Sequence, residues 1–285
     1  IGVGLATHDV VTLSTIARLF QKRRGLMTGV VKVGTASGQI VLPPVAAFLI
    51  AFYDWRLALI ILGAAGIGLL VLAALLMKSP VPGVMGGPQT EAEGFHFAEV
   101  RRNRTFWMIC AIQFCFFTTL TTIPFHIVIH GMDLGMTPAS AAFMLSVLGA
   151  TSMAGRLTVG GLVDRIGGRR SLIVCFVPVI ASLLAFISIS TPTVLFAGIA
   201  LYGFGHGGFF TVTSPNVAQY FGLKAHGAIF GFVLFVGTVG GAIGPIMAGR
   251  IFDLGNSYIP AFIALAVLAA LGLVLTLRLP EINRN

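Results

Sequence analysis

Charge is what this sequence has least of. Only 9% of its 285 residues are Asp, Glu, Lys or Arg, against roughly 25% in soluble domains. A water-facing surface cannot be built from so few charges, so a soluble enzyme or a soluble nucleic-acid binder is excluded. Cysteine is almost as scarce. The three thiols, Cys110, Cys115 and Cys175, sit in apolar runs with no CxxC and no His pair at ligand spacing. A disulfide scaffold is excluded, no metal site is expected, and the three read as small core hydrophobes. Enzyme motifs are missing too: there is no HExxH, no GxSxG and no Walker loop. No cofactor and no nucleotide-driven pumping are therefore expected.

What is present is apolar. Hydrophobic residues make up 56% of the chain, and 36 glycines add to them. A bilayer core needs about 20 helical residues per crossing. Charge-free runs of that length cover residues 33–53, 57–77, 105–132, 134–155, 225–249 and 254–277. Residues 171–223 are long enough for two crossings, with a hinge at Ser190-Thr191-Pro192-Thr193, and residues 1–20 supply one more, interrupted by His8 and Asp9. The reading is an all-α polytopic membrane protein with nine spans. Transmembrane strands would show about ten alternating residues, not continuous runs of twice that length. Proline at positions 43, 44, 124, 178, 215 and 245 is expected to kink helices.

One connection is long and polar. It divides the chain into residues 1–78, a solvent-exposed linker over 79–104, and a six-span unit over 105–285. Of the 18 basic residues, all but Lys32, Arg56, Arg156 and Arg250 fall on the linker's side of the expected topology. By the positive-inside rule that side is cytoplasmic. The formal net charge of +9 is thereby explained by topology and lipid contact. The expectation is a multi-pass protein of the inner (plasma) membrane, with its C-terminus in the cytoplasm and no nucleic-acid partner. The chain starts at Ile1, without Met or a cleavage site, so it is expected to begin partway through a larger protein.

The loop after the fifth span reads Gly160-Gly-Leu-Val-Asp164-Arg165-Ile-Gly167-Gly-Arg169-Arg170. Its glycines permit a tight turn. Asp164 can pair with an Arg or with the N-terminus of a neighbouring helix, and the basic cluster suits an anionic leaflet. This order resembles the signature loop between helices 8 and 9 of the major facilitator superfamily. The stretch Phe20-Gln-Lys22-Arg23-Arg24-Gly25-Leu-Met-Thr-Gly29-Val-Val-Lys32-Val-Gly34 is similar to the helix 4–5 signature of that superfamily's monocarboxylate porter branch, as are Trp55-Arg56 and residues 152–156. The resemblance implies the superfamily's fold without its first three helices, the spans being helices 4–12. It also implies a rocking contact between two halves, with Gly25, Gly29, Gly34 and Gly38 on one helix and Gly227, Gly231, Gly237, Gly241 and Gly244 on another as small-residue faces.

Charges inside a membrane default to function. Arg156 lies eight residues before Asp164, about 12 Å from the helix end at 1.5 Å per residue. In monocarboxylate and oxalate–formate relatives an Arg at the matching place contacts the substrate carboxylate, and a guanidinium can bind one bidentately. Lys32 lies at a similar depth, and two facing cations make an anion site; snorkelling to the surface is the bland alternative for both. Asp9, with His8 beside it, is a carboxylate that neutralises a cation or carries a proton. His206 is a further proton-coupling candidate, while Thr118, Thr122 and Asn216 are candidate cavity-lining residues. Thr118 and Thr122 share a helix face with His126, and Gln39 is polar with no sharper role. Where the eukaryotic carriers place an Asp four residues before the helix 8 Arg, this chain has Ser152. The oxalate carrier's helix 11 Lys would fall near Gly237, and this chain has none there, so a monocarboxylate fits the resemblance better than a dicarboxylate.

The reading is a monomeric secondary active transporter of small, monocarboxylate-like organic anions, coupled to protons or a counter-solute, working by rocker-switch alternating access. The alternatives are a drug or cation efflux carrier of the same superfamily, which usually carries acidic cavity residues, and a membrane-embedded sensor or enzyme, which would need a catalytic constellation or an appended domain.

Overall fold

The computed structural model describes residues 2–20, 23–76, 94–188 and 191–281. Among them the chain forms ten helices: α1 (Gly2–Leu19), α2 (Arg24–Phe52), α3 (Trp55–Leu76), α4 (Phe97–Val100), α5 (Arg104–Asp133), α6 (Pro138–Ile166), α7 (Gly168–Ser188), α8 (Pro192–Phe221), α9 (His226–Gly255) and α10 (Ile259–Leu277). Seven of these, α3 and α5 to α10, are long and apolar enough to cross a membrane. The helices α1 and α2, which carry Asp9, Arg18 and Lys32, are long but do not meet that measure among the described residues. The nine expected spans are thus nine long helices, seven of them apolar enough by themselves.

Helix ends follow caps rather than charges. The α6 helix begins at Pro138 behind Gly135, whose φ is +83°, and behind Thr137, whose hydroxyl accepts from the Ser140 N–H at 3.3 Å. It runs straight through Arg156 to Gly167, where a φ of +86° ends it. That conformation is open to glycine at little cost and strained for other residues. The α5 helix starts at the Asn103 side chain, which accepts from the Thr105 N–H at 2.8 Å. Proline 124, 178, 215 and 245 lie inside continuous helices. Proline frees the carbonyl four residues earlier, which in a bilayer needs another partner. For Pro245 that carbonyl belongs to Gly241, and the Thr121 hydroxyl of α5 donates to it at 2.8 Å.

The helices α5 to α10 form one body. Its largest contacts join α6 to α8, α5 to α9 and α7 to α8, with α10 closing against α7 and α5. At its centre Phe116 of α5 stacks on Phe209 of α8 at 3.6 Å, and Phe176 of α7 stands edge-on to Phe116 at 5.1 Å. Such rings add about 0.5–1.5 kcal/mol per pair beyond their burial. Backbones approach closely where glycine lines the seam. A Cβ at Gly155 would strike the Phe204 carbonyl, and one at Gly207 the Ser152 carbonyl.

The α2 helix joins this body mainly through α6. A Cβ at Gly29 would lie 2.5 Å from the Arg156 carbonyl, and one at Gly160 would lie 2.7 Å from that of Gly25. The expected small-residue faces are only partly at this contact. Gly34 has nothing within 4 Å of its Cβ position, and Gly38 meets only Leu42 of its own helix. On α9, Gly227 and Gly231 face Ser14 and Val10 of α1, whereas Gly237, Gly241 and Gly244 face α5. Most of that second face therefore packs within the C-terminal body.

The end of the linker folds onto the same body. The Phe95 N–H donates to the Phe221 carbonyl at 3.1 Å, Val100 is buried, and Phe97 packs edge-on to Phe106 at 6.2 Å. Phe95, His96, Ala98 and Glu99 are solvent-exposed there, whereas Phe97 is half-buried and Val100 buried against the helical body. Residues 77–93, which include the first part of the linker, lie outside the described residues.

Candidate functional site

Where α1 and α2 meet the C-terminal body, the structure gathers three charged side chains. Arg156 of α6 is 1% exposed, and Lys32 of α2 is 3% exposed. Lys32 Nζ donates to Asp9 Oδ1 of α1 at 2.6 Å. Arg156 Nη1 donates to the backbone carbonyl of Lys32 at 2.6 Å, and its Nε is buried without a partner. Both cations lie over the ring of Phe210 on α8, each 5.2 Å from its centroid. A ring face attracts cations by its quadrupole, so one aromatic side chain holds two positive groups near each other. Asp9 is the more open end of the ion pair, its side chain 30% exposed against 4% for Lys32.

A small cavity opens beside this cluster. Its walls are Asp9 and Leu13 of α1, Lys32 of α2, Gln113 and Phe117 of α5, Phe210 and Thr213 of α8, and Phe230 and Leu234 of α9. Its volume of about 10 Å³ is about one water. Formal charges around it are two positive and one negative, so a single monoanion would bring the cluster to neutrality.

The sequence candidates separate into those brought together and those that are not. Arg156, Lys32 and Asp9 meet. His206 stands next to them: its Nδ1 is 3.1 Å from the Ser152 hydroxyl, one helical turn from Arg156, and its ring is 5.3 Å from Phe210. The side chains of His8 and Gln39 lie outside the described residues. Thr118 and Thr122 turn toward α9, where their hydroxyls sit against Gly240 and Gly244. They donate within their own helix, to the Phe114 and Thr118 carbonyls at 2.8 and 2.5 Å. Neither lines the cavity, because small residues on α9 draw that face of α5 into a helix seam. His126, on the same face, bonds the Pro245 carbonyl at 3.0 Å and the Tyr258 hydroxyl at 3.2 Å. Asn216 is buried far along α8, its Oδ1 against Gly168 at the start of α7. It too lies away from the cluster.

The loop motif divides its labour. Asp164 accepts from the Gly25 N–H at 2.8 Å and the Leu26 N–H at 2.9 Å, so an α6 carboxylate caps the N-terminus of α2. Gly160 forms the seam with Gly25, and Gly167 makes the turn. Arg169 pairs with Glu281 and donates to the Leu277 carbonyl, both at 2.7 Å, fastening the end of α10 rather than reaching for lipid. Arg165 and Arg170 are exposed.

Sequence reasoning missed the neutral half of the site. Phe210, Gln113 and Thr213 gave no charge signal. A lone Gln amid the apolar run 105–132 could have drawn notice on the same ground as an intramembrane charge. Among the described residues no group of three His, Cys, Asp or Glu side chains forms a metal site.

A bundle of long apolar helices with a charged cluster buried between its N-terminal helices and its C-terminal body defines a polytopic helical membrane protein. The family model of the Major Facilitator Superfamily matches residues 1–187 and 131–284, and the chain belongs to that superfamily. It is similar to monocarboxylate transporter 13 of Bos taurus, 29% identical over 97% of this chain and 65% of the relative. Monocarboxylate transporter 12 of Homo sapiens is 23% identical over 92% of this chain and 57% of its own length. The chain thus spans somewhat under two thirds of these curated relatives. Among solved structures, the human organic anion transporter MFSD10 (TETRAN) matches with a TM-score of 0.75 at 16% identity, over 94% of this chain and 67% of that one. The transporter FucP in the outward conformation matches with a TM-score of 0.74 at 15% identity, over 96% and 73%. At these identities the structures speak for the fold.

Proposed function

We propose that the protein is a secondary active transporter of small organic anions of the monocarboxylate kind. The observation that carries this reading is the burial of Arg156 and Lys32 around one aromatic ring with Asp9 as their carboxylate. Unpaired buried charge is expensive, so a site with one positive charge in excess favours a monoanion over a cation or a dianion. The similarity to monocarboxylate transporters supports the same class.

Proton coupling fits the Asp9–Lys32 pair. Asp9 is the carboxylate of the cluster and its more open member, so it is the group placed to carry a proton alongside the anion. Alternating access fits the α2·α6 seam, where Asp164 and the glycine crossing close the end that carries the basic loops. Parting that seam opens the site to one side, in a rocker-switch cycle of the superfamily kind. The charge asymmetry of the loops supports a cytoplasmic C-terminus in a plasma or inner membrane.

The test is thermal stabilisation of the purified protein by a panel of small organic anions and lipophilic cations, with Arg156→Gln as control. A ligand that binds only the folded state raises the melting temperature. Stabilisation by carboxylates that disappears in Arg156→Gln supports the reading. Stabilisation by lipophilic cations that ignores the substitution overturns it in favour of cation efflux.

A further inference from the structure

Away from the charged cluster, toward the end that carries the basic loops, α1 crosses the start of α9. A Cβ at Gly227 would lie 3.5 Å from Ser14 Oγ, and one at Gly231 would lie 3.7 Å from Val10. His226, the first residue of α9, is fully buried beside this crossing. Its Nε2 is 3.1 Å from the Ser214 carbonyl of α8, and its ring stacks on Phe230 at 5.7 Å. A carbonyl only accepts, so the ring hydrogen is on Nε2 and Nδ1 keeps a lone pair. That Nδ1 is buried without a hydrogen-bond partner, and so is Ser14 Oγ across the contact. Buried polar atoms in folded proteins are rarely left this way. The charges that act on the ring are Arg24 of α2 and Arg18 of α1, both positive. Asp164 of α6 acts on Arg24 and is itself engaged by the Gly25 and Leu26 N–H groups, and Lys224 stands two residues before the ring.

We propose that His226 is a proton-binding site that governs the α1·α9 contact: a proton taken on Nδ1 parts the two helices at the basic-loop end, and its loss lets them close. Resting on the alternating-access reading above, and not on the identity of the cargo, this makes the inner gate answer to the acidity of the compartment it opens to. A proton on Nδ1 puts a third positive charge beside Arg18 and Arg24 where water is excluded, and charge buried without a counter-charge is expensive. Parting α1 from α9 brings water to the ring and distance from Arg18, so both penalties fall. The bond to Ser214 survives in either arrangement, because Nε2 keeps its hydrogen throughout. The ring therefore stays on the C-terminal body while α1 leaves it, and the proton acts between the two halves rather than on the packing of one.

The reporter is Ala17→Cys. Ala17 is 3% exposed and lies three residues on from Ser14, on the same side of α1. Labelling of this thiol in the purified protein by a water-soluble reagent is followed from about pH 7.5 to about pH 5.5. Each rate is divided by that of the same reporter in His226→Gln, whose amide still donates to the Ser214 carbonyl but takes no proton. The division cancels the ionisation of the thiol and of the titrating groups common to both proteins. With opening fast compared with chemistry, the rate follows the open population. A ring that titrates near 6.5 once opened raises the ratio by about tenfold over this range, within the limit of about tenfold per pH unit for a single proton. His226→Asn is equally unable to titrate, should give the same result, and serves in place of His226→Gln if that variant does not fold. A ratio that stays flat against these variants overturns the proposal, and so does a thiol that remains unlabelled at every pH. The anion reading fails separately. A rising ratio in a protein that no carboxylate stabilises sinks that reading and leaves the role of His226 standing, whereas carboxylate stabilisation lost in Arg156→Gln together with a flat ratio sinks this inference alone.

Discussion

Removing the Asp164 carboxylate tests what holds α2 against α6. Asp164→Ala deletes two hydrogen bonds from a charged acceptor to the first N–H groups of α2, at 2.8 and 2.9 Å. Hydrogen bonds to charged groups are worth about 1.5–3 kcal/mol each, and a charge at a helix N-terminus adds about 0.3–1 kcal/mol when exposed. Asp164 is only half-buried, so the low end applies, about 3 kcal/mol for the pair of bonds. If this end of the molecule exchanges between closed and open arrangements, that loss raises the open fraction roughly a hundredfold. A thiol at residue 163 reports it. Val163 is fully buried, and its Cβ lies 2.9 Å from where a Cβ on Gly25 would sit. The three native cysteines are buried and contribute little background. When opening is fast compared with chemistry, labelling of Val163→Cys by a water-soluble thiol reagent follows the open population. Adding Asp164→Ala should accelerate labelling by about two orders of magnitude. Asp164→Asn, which keeps one acceptor oxygen, should fall between. Labelling within about threefold of the parent in the Ala variant would refute the argument that this carboxylate keeps the seam shut.

Two further outcomes follow from the same geometry. Gly207→Ala should lower thermal stability by about 1–3 kcal/mol through overpacking at the α6·α8 seam, whereas Gly34→Ala, with open space around it, should be neutral or slightly stabilising. A melting comparison checks this, and equal losses in both would show that backbone contact is not what the glycines provide. Asp9→Asn should leave Lys32 buried without its counter-charge, destabilising the protein by about 3–5 kcal/mol. It should also remove the pH dependence of anion uptake in proteoliposomes, and an intact pH profile in a folded Asp9→Asn protein would exclude Asp9 as the proton carrier.

The fold was legible because hydrocarbon tolerates few charges, so apolar runs mark helices directly. Residues 57–77 and 105–132 correspond closely to Trp55–Leu76 and Arg104–Asp133. The breaks were less legible where a charge lies inside a helix. Counting stopped at Lys32 and Arg156, yet α2 begins at Arg24 and α6 continues to Ile166, because helical hydrogen bonding ends at caps and not at charges. Within the site the same contrast holds. Arg156, Lys32 and Asp9 stood out by charge, and depth counted at 1.5 Å per residue placed Arg156 and Lys32 at similar levels. Which neutral faces turn to the cavity depends on helix rotation, which one sequence does not state. Thr118 and Thr122 share a face, but that face packs on α9 glycines, while Gln113 on the same helix reaches the cavity.

Arg156 reaches across to α2 through a main-chain oxygen, the carbonyl of residue 32. Such a contact is indifferent to the identity of the amino acid that supplies it. Substitution at position 32 can therefore retune the electrostatics of the chamber while the guanidinium keeps its hold on the neighbouring helix. Cavity charge and mechanical linkage are written at one position in two independent scripts, one in the side chain and one in the peptide unit. A fold built this way can change the charge of its cavity without first dismantling the contact between its helices.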